Sequence, residues 1–228
     1  MENTGEIAGL YILSYLVGAI PTAYLVGKTV KGLDIRRYGS GNVGGTNVFQ
    51  HVGRKWAVAL WILEILVKGA LPVWIGRYAL GLEQSSVLLA LAPLPALAGH
   101  NWSVFLKFQG GRGIAVGTGS LLALSPILLA GFAVVGLGGW GLTRSSGVWV
   151  LISLALLPLW ALLAGEAAVI SYYCAGLLGL TVLKRLLSNL TPMPEGLPKG
   201  KGLFNRLFRD RDVDDQAEWV RRVPDCSK

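Results

Sequence analysis

Charge is scarce in this sequence. Only 15% of its 228 residues are Asp, Glu, Lys or Arg, against about 25% in an ordinary soluble domain. That is too little to cover a water-facing surface, so a soluble globule is disfavoured. Cysteine occurs twice, too few for a disulfide scaffold or a cysteine-based zinc site. Histidine also occurs twice, which excludes a histidine-rich metal cage. No G-x-S-x-G, H-E-x-x-H or Walker-type G-x-x-x-x-G-K-[ST] string appears, so the usual covalent, zinc and nucleotide signatures are missing. No metal and no cofactor is expected.

Apolar surface is what the chain has in quantity. Residues of the AVILMFWYC set make up 53%, and the mean hydropathy is +0.54. A disordered chain would show the reverse balance. The expectation is an all-α polytopic membrane protein of one domain, residues 1–187, followed by a tail, 188–228. Apolar runs at 7–26, 56–75, 86–98, 148–164 and 167–183 read as spans. The stretch 113–143 is long for one helix and reads as two brief spans joined at Ser125-Pro126. Pro21 predicts a kink or break inside the first run. The first run has no Lys or Arg before it and no A-x-A-like site after it, so it reads as a retained span rather than a cleaved leader.

These runs give about seven crossings. The basic clusters lie at Lys28 to Lys55, at Lys107 to Arg112, at Arg144 and from Lys184 onward. With the amino terminus outside, all of them fall on the cytoplasmic side and only Arg77 lies outside. Charges that flank apolar spans argue against a nucleic-acid surface. The lipid bilayer of the cell membrane is the expected partner, in a multi-pass arrangement, and the sequence leaves the oligomeric state open. In the tail, LFNRLFRDR at 203–211 has the composition of an interfacial helix. Residues 212–228 read as solvated. Cys174 falls in a span and Cys226 in the tail, so no disulfide is expected.

Two loops carry the chemistry. The first reads Asp34-Ile35-Arg36-Arg37-Tyr38-Gly39-Ser40-Gly41-Asn42-Val43-Gly44-Gly45-Thr46-Asn47. Its glycines permit positive φ and close backbone approach, and runs of N–H groups in such a loop form anion-binding nests. Ser40, Asn42, Thr46 and Asn47 add neutral donors, Arg36 and Arg37 charge. A solvated loop with inside-facing arginines fits the same composition. The second loop includes Gly99, His100 and Asn101 and ends in Gly110-Gly111-Arg112-Gly113, which opens directly into an apolar helix. A helix N-terminus with glycine and a guanidinium is a ready anion site. His100 reads equally as a structural or a functional histidine. Glu64 and Lys68 stand four residues apart in the second span and should pair, either as a structural unit or facing a polar cavity. Glu166 reads as a loop charge of little consequence.

The order and spacing of these strings resemble the membrane acyl-phosphate:glycerol-3-phosphate acyltransferases of bacterial phospholipid synthesis. The resemblance runs over roughly residues 10–187. It rests on Tyr15-Leu16-Val17-Gly18-Ala19-Ile20-Pro21, on Gly39 to Asn47, on Lys68-Gly69-Ala70-Leu71-Pro72-Val73, on Gly99-His100 and on Phe108 to Ala115. It implies seven spans, an outside amino terminus and cytoplasmic motifs. It also implies transfer of a fatty acyl group from acyl phosphate to the sn-1 hydroxyl of glycerol 3-phosphate, giving lysophosphatidic acid and phosphate. Arg112, Ser40, Asn42 and His100 are then the expected catalytic groups. Arg36, Gly39, Gly41, Gly44, Thr46, Asn47, Lys68, Gly110, Gly111, Gly113 and Arg144 are the expected substrate-binding positions. Several positions depart from the family pattern. Gln50 stands for an arginine, Arg112 for a lysine, Glu64 for a displaced aspartate and Gly147 for a serine. The run Leu177 to Arg185 has neither the His nor the Asn that the family carries there. Alternatives are a homologue that binds a phosphorylated lipid precursor without turnover, or with another substrate, and a small transporter. The transporter reading is the weaker, because no inverted repeat is found and the polar groups collect on one side.

Overall fold

The computed structural model describes residues 4–189 and 197–211, together with Asp215 and Trp219. Met1 to Asn3, the Thr191-Pro192-Met193-Pro194 stretch, Cys226 and most of 212–228 lie outside the described residues. Among the described residues the fold is helical, with one isolated bridge between Ser103 and Gln109. In chain order we name α1 (Thr4–Ala19), α2 (Thr22–Lys31), α3 (Gly45–His51), α4 (Arg54–Ala79), α5 (Val87–Asn101), α6 (Ile114–Leu124), α7 (Pro126–Thr143), α8 (Ser146–Leu163), α9 (Ala168–Leu187) and α10 (Lys199–Phe204). A wide turn, Asn205–Arg209, prolongs α10. Five helical stretches are long and apolar enough to cross a bilayer: Thr4–Lys31, α4, α7, α8 and α9. The helices α5 and α6 are shorter. The chain is a membrane protein, and Leu142, Leu163 and Val134, each more than 70% exposed, face outward from the bundle.

Prolines place the breaks. Pro21 has no N–H and its ring excludes an α-helical continuation, so α1 stops and α2 restarts at Thr22. The Ile20 carbonyl, freed at this break, accepts from the Thr22 N–H at 2.9 Å and from Lys68 Nζ at 2.6 Å. Pro126 starts α7, with Ser125 as its N-cap accepting from the Leu128 N–H. In α4 the residues 64–70 widen to π-type turns just before Pro72, relieving the clash of the proline ring with the carbonyl four residues earlier.

Glycines set how close the helices approach. A Cβ at Gly18 would overlap the backbone of Ala96 and one at Gly99 the backbone of Tyr15 and Ala19, so α1 and α5 cross nearly in contact. Gly69 and Gly119 do the same for α4 and α6. Two apolar cores result. The larger joins α1 and α4 to α9. The smaller, with Ala23, Ile35, Val43, Val48 and Leu60, lies under the first glycine-rich loop and anchors it.

The connections gather at two ends. At one, Gln84 donates to the Leu124 carbonyl at 2.5 Å, and Ser125 Oγ donates to Glu166 Oε1 at 2.5 Å. Glu166 is thus a tie between turns, which corrects its reading as an inert loop charge. At the other end the two glycine-rich loops, the α7–α8 turn and the close of α9 meet. Gly119→Val and Gly69→Val are expected to cost roughly 1–3 kcal/mol by forcing α4 and α6 apart. Gly138→Ala, whose Cβ would meet nothing within 4 Å, should cost nothing. Thermal unfolding in detergent reads the difference, and equal midpoints for Gly119→Val and wild type would contradict the close crossing.

Candidate active site

The two glycine-rich loops are stitched to one another. The Val43 N–H donates to the Gly110 carbonyl at 3.2 Å. Asn189, just past α9, completes the seam. Its Nδ2 lies 3.0 Å from the Gly41 carbonyl and 3.2 Å from that of Gly110, and its Oδ1 accepts from the Gly110 N–H at 3.0 Å. Lys184 Nζ donates to the same Oδ1 at 2.8 Å and to the Asn101 carbonyl. Gly41, Gly110 and Gly111 therefore act through their backbones. A Cβ at Gly111 would overlap His100 Nε2 and the Val43 carbonyl, so only glycine allows this approach.

Within the first loop, Asn47 Nδ2 is within 3.2 Å of the carbonyls of Ile35, Tyr38 and Asn42. It is the loop's internal anchor, not the free donor expected from composition. Gly39 and Gly41 adopt positive φ, 50° and 68°, which directs the chain around Asn42.

Above the seam lies a cavity of about 500 Å³. Of the expected residues, Gly39, Ser40, Asn42, Gly44, Thr46, Asn47, His100, Arg112 and Gly113 line it. Gln50, Trp61, Glu64, Ser145, Ser146, Gly147 and Arg185 line it too. Gly113, at φ 75°, is the N-cap of α6, so the positive end of that helix opens here beside Arg112. Arg112 Nη1 donates to the Lys184 carbonyl at 2.9 Å, and its Nε lies 2.7 Å from Asp210 Oδ1.

Six expected positions fall outside the cavity lining: Gly41, Gly110 and Gly111, which lie in the seam, and Arg36, Arg144 and Lys68. Arg36 is engaged by Asp34 at 2.6 Å, reaches Gln109 at 3.3 Å and covers the Tyr24 ring. That pairing holds the Asp34 carboxyl below its ordinary range, so the ion pair persists into acid. Arg144 caps α7 with its guanidinium over Trp140 and is not among the cavity residues. Lys68 lies behind the cavity wall in a small crevice with Thr22, Glu64 and His100. There Glu64 Oε1 accepts from Thr22 Oγ1 at 2.8 Å and stands 3.6 Å from both Lys68 Nζ and His100 Nδ1. The Glu64–Lys68 pair thus does both things left open above: it ties α4 to the α1–α2 break and, through Glu64, borders the cavity.

Residues 8–195 match the family described as glycerol-3-phosphate acyltransferase. The chain belongs to that family. "Glycerol-3-phosphate acyltransferase 5" of Dehalococcoides mccartyi is 37% identical over 224 residues, covering 92% of this chain and 91% of that relative. The glycerol-3-phosphate acyltransferase of Desulforudis audaxviator is 44% identical over 153 residues, covering 67% and 75%. Among solved structures, PlsY (YgiH), an integral membrane glycerol 3-phosphate acyltransferase, superposes in its glycerol 3-phosphate form with a TM-score of 0.75. It is 27% identical and is covered over 98% of its length by 94% of this chain. The lysophosphatidic acid form of PlsY gives a TM-score of 0.74.

Against the acyltransferase pattern, sequence reasoning stopped one turn short at the end of α9. The asparagine missing from Leu177 to Arg185 is supplied by Asn189, four residues on, and the only signal was a lone amide just past a basic pair. Lys184 and Arg185, counted as inside-facing charges, are fully buried braces. Asn189→Ala leaves the Gly110 N–H and the Gly41 carbonyl without their partner. It is expected to destabilise the protein by about 1–3 kcal/mol and to weaken inorganic phosphate binding. Thermal unfolding and equilibrium binding check the two effects, and an unaltered melting midpoint would show that the seam holds without the amide.

Proposed function

We propose that this cavity transfers a fatty acyl group from acyl phosphate to the sn-1 hydroxyl of glycerol 3-phosphate, releasing lysophosphatidic acid and phosphate. The observation that carries the proposal is the meeting of both glycine-rich loops, Arg112 and the N-terminus of α6 on one cavity. Two anionic substrates require two phosphate-holding elements at adjacent positions, and this is such a pair. Family membership and the likeness to PlsY support the same reading.

The chemistry asks for positioning rather than a protein nucleophile. The glycerol O1 attacks the acyl carbonyl carbon, the bond from that carbon to the phosphate oxygen breaks, and phosphate departs. The O1 proton passes to a phosphate whose second pKa is about 6. Arg112 and the α6 N-terminus hold and neutralise the charge that gathers on the leaving phosphate. Ser40, Asn42 and Thr46 supply neutral donors to phosphate oxygens. His100, buttressed by Glu64, provides a further polar group at the wall. Gly39, Gly44 and Gly113 let the substrates approach the backbone.

The same reading places the amino terminus outside, seven crossings in the cell membrane and the cavity on the cytoplasmic side. Seven helical stretches joined by turns that alternate between two ends support it. The 11 residues of α6 rise only about 16 Å, so its start sits below the bilayer surface, where an acyl chain can reach it.

The test is direct. Purified protein given acyl phosphate and labelled glycerol 3-phosphate is expected to form lysophosphatidic acid. Arg112→Ala should lower kcat/KM by about 10²-fold or more, the scale for losing one preorganised donor. Absence of product with phosphate binding intact would point instead to a homologue that binds a phosphorylated lipid precursor.

A further inference from the structure

The tail reaches into the site. The segment Lys199–Arg209 lies beyond residues 8–195 that match the family, yet Arg209, Asp210 and Arg211 line the cavity. Its seat is built by two residues. Arg185, 1% exposed, donates through Nη1 to the Gly147 carbonyl at 2.9 Å and to the Leu207 carbonyl at 2.8 Å, clamping the tail to the start of α8. Gly147 provides the room. A Cβ there would stand 2.7 Å from the Arg209 carbonyl oxygen and 3.2 Å from Asp210 Cβ. The position where the sequence resemblance expects a serine is thus bare, and the tail fills the space.

What the tail delivers is a carboxylate. Asp210 Oδ1 is 2.7 Å from Arg112 Nε and 3.9 Å from Arg185 Nε. Asp210 adopts a positive φ of 56°, a conformation Asp tolerates better than most residues, and that bend turns its side chain back toward Arg112. With Nε on Asp210 and Nη1 on the Lys184 carbonyl, the Arg112 guanidinium is fixed from two sides. Arg112 itself lines the cavity, so the side chain held in this way is one that a ligand there meets.

We infer that Asp210 is a positioning residue for the acyl transfer: the docked tail holds Arg112 in the orientation that receives a substrate phosphate. The inference rests on the reaction proposed above. A long flexible cation that is already held loses less freedom on binding, so the effect belongs to substrate affinity more than to the chemical step.

The experiment uses the full chain, with two readouts. Hydrogen exchange reports whether the amides of 199–209 are protected, independently of turnover. Steady-state kinetics with acyl phosphate and glycerol 3-phosphate report KM and kcat separately. Asp210→Asn is expected to raise KM for acyl phosphate, whose phosphate Arg112 holds, about tenfold, with a smaller fall in kcat, and Asp210→Glu to recover most of it. Gly147→Ala, which unseats the tail, should lower protection of 199–209 and raise KM by the same factor. The Gly147→Ala/Asp210→Asn double variant should be no worse than either single one. An unchanged or lower KM in Asp210→Asn would overturn the inference, a lower one marking Asp210 as a competitor for the phosphate. Unprotected 199–209 amides in wild type would overturn it as well, whatever the activity. If wild type shows protected amides and no turnover, it is the proposed reaction that fails, and the inference falls with it for that separate reason.

Discussion

Peptide groups and charges held next to hydrocarbon must find partners inside the protein, and here that demand is concentrated on the seam between two glycine-rich loops. Neither loop has a repeating hydrogen-bond pattern of its own. The Val43–Gly110 bond supplies one link. The Asn189 amide, which both donates and accepts, adds three more, and Arg36 reaches Gln109 across the same gap. The closeness of the two backbones follows from having hydrogen in place of a side chain at Gly111, where a Cβ would overlap the Val43 carbonyl. Everything that makes the cavity a plausible anion site depends on this contact, because it puts the α6 N-terminus and the Ser40–Thr46 arc on one wall.

The buried charges obey the same demand in a different way. Isolated, Glu64 and Lys68 would each be costly at their depth. Lys68 answers with the Ile20 carbonyl, which Pro21 leaves without a helical partner, and Glu64 with the Thr22 hydroxyl. The helix break and the ion pair are therefore one unit: the proline frees an acceptor, and the lysine four residues from Glu64 uses it. The wide turns at 64–70 belong to the same unit, since they accommodate Pro72 just beyond it.

Much of this was legible from residues alone. The breaks at Pro21 and at Ser125-Pro126 fall where proline chemistry puts them, and the apolar runs correspond to α1–α2 and α4 through α9 with shifts of a few residues at their ends. The glycine-rich strings marked the loops that meet. What pattern reading cannot supply is long-range pairing. Asn47 looked like a donor for a ligand, but its amide is spent on three local carbonyls. Arg144 reads as an inside-facing cation near a motif, and its place over the Trp140 ring is visible only in the fold. Asn189 and Asp210 lie in the tail, Asp210 within the stretch whose composition is that of an interfacial helix, and only the fold brings them back to the cavity. Residue type announces chemistry, while burial and partner decide whether it is available.

The charge balance of the cavity bears on why so few catalytic groups are needed. Arg112, Arg185, Arg209 and Arg211 border it, against the carboxylates Asp210 and Glu64. Glu64 is already answered by Lys68, so the wall retains an excess of positive charge at the mouth of the short helix α6, whose own dipole adds to it. In surroundings of reduced dielectric, such fixed charges act on a departing phosphate far more strongly than they would in water. An acyl phosphate carries its leaving group with it. A site that merely stabilises that departure and holds a hydroxyl in line has no use for a serine or cysteine nucleophile. In the proposed reaction the serines on the cavity wall, Ser40, Ser145 and Ser146, therefore need form no covalent intermediate, and the arginines and glycines hold the phosphates.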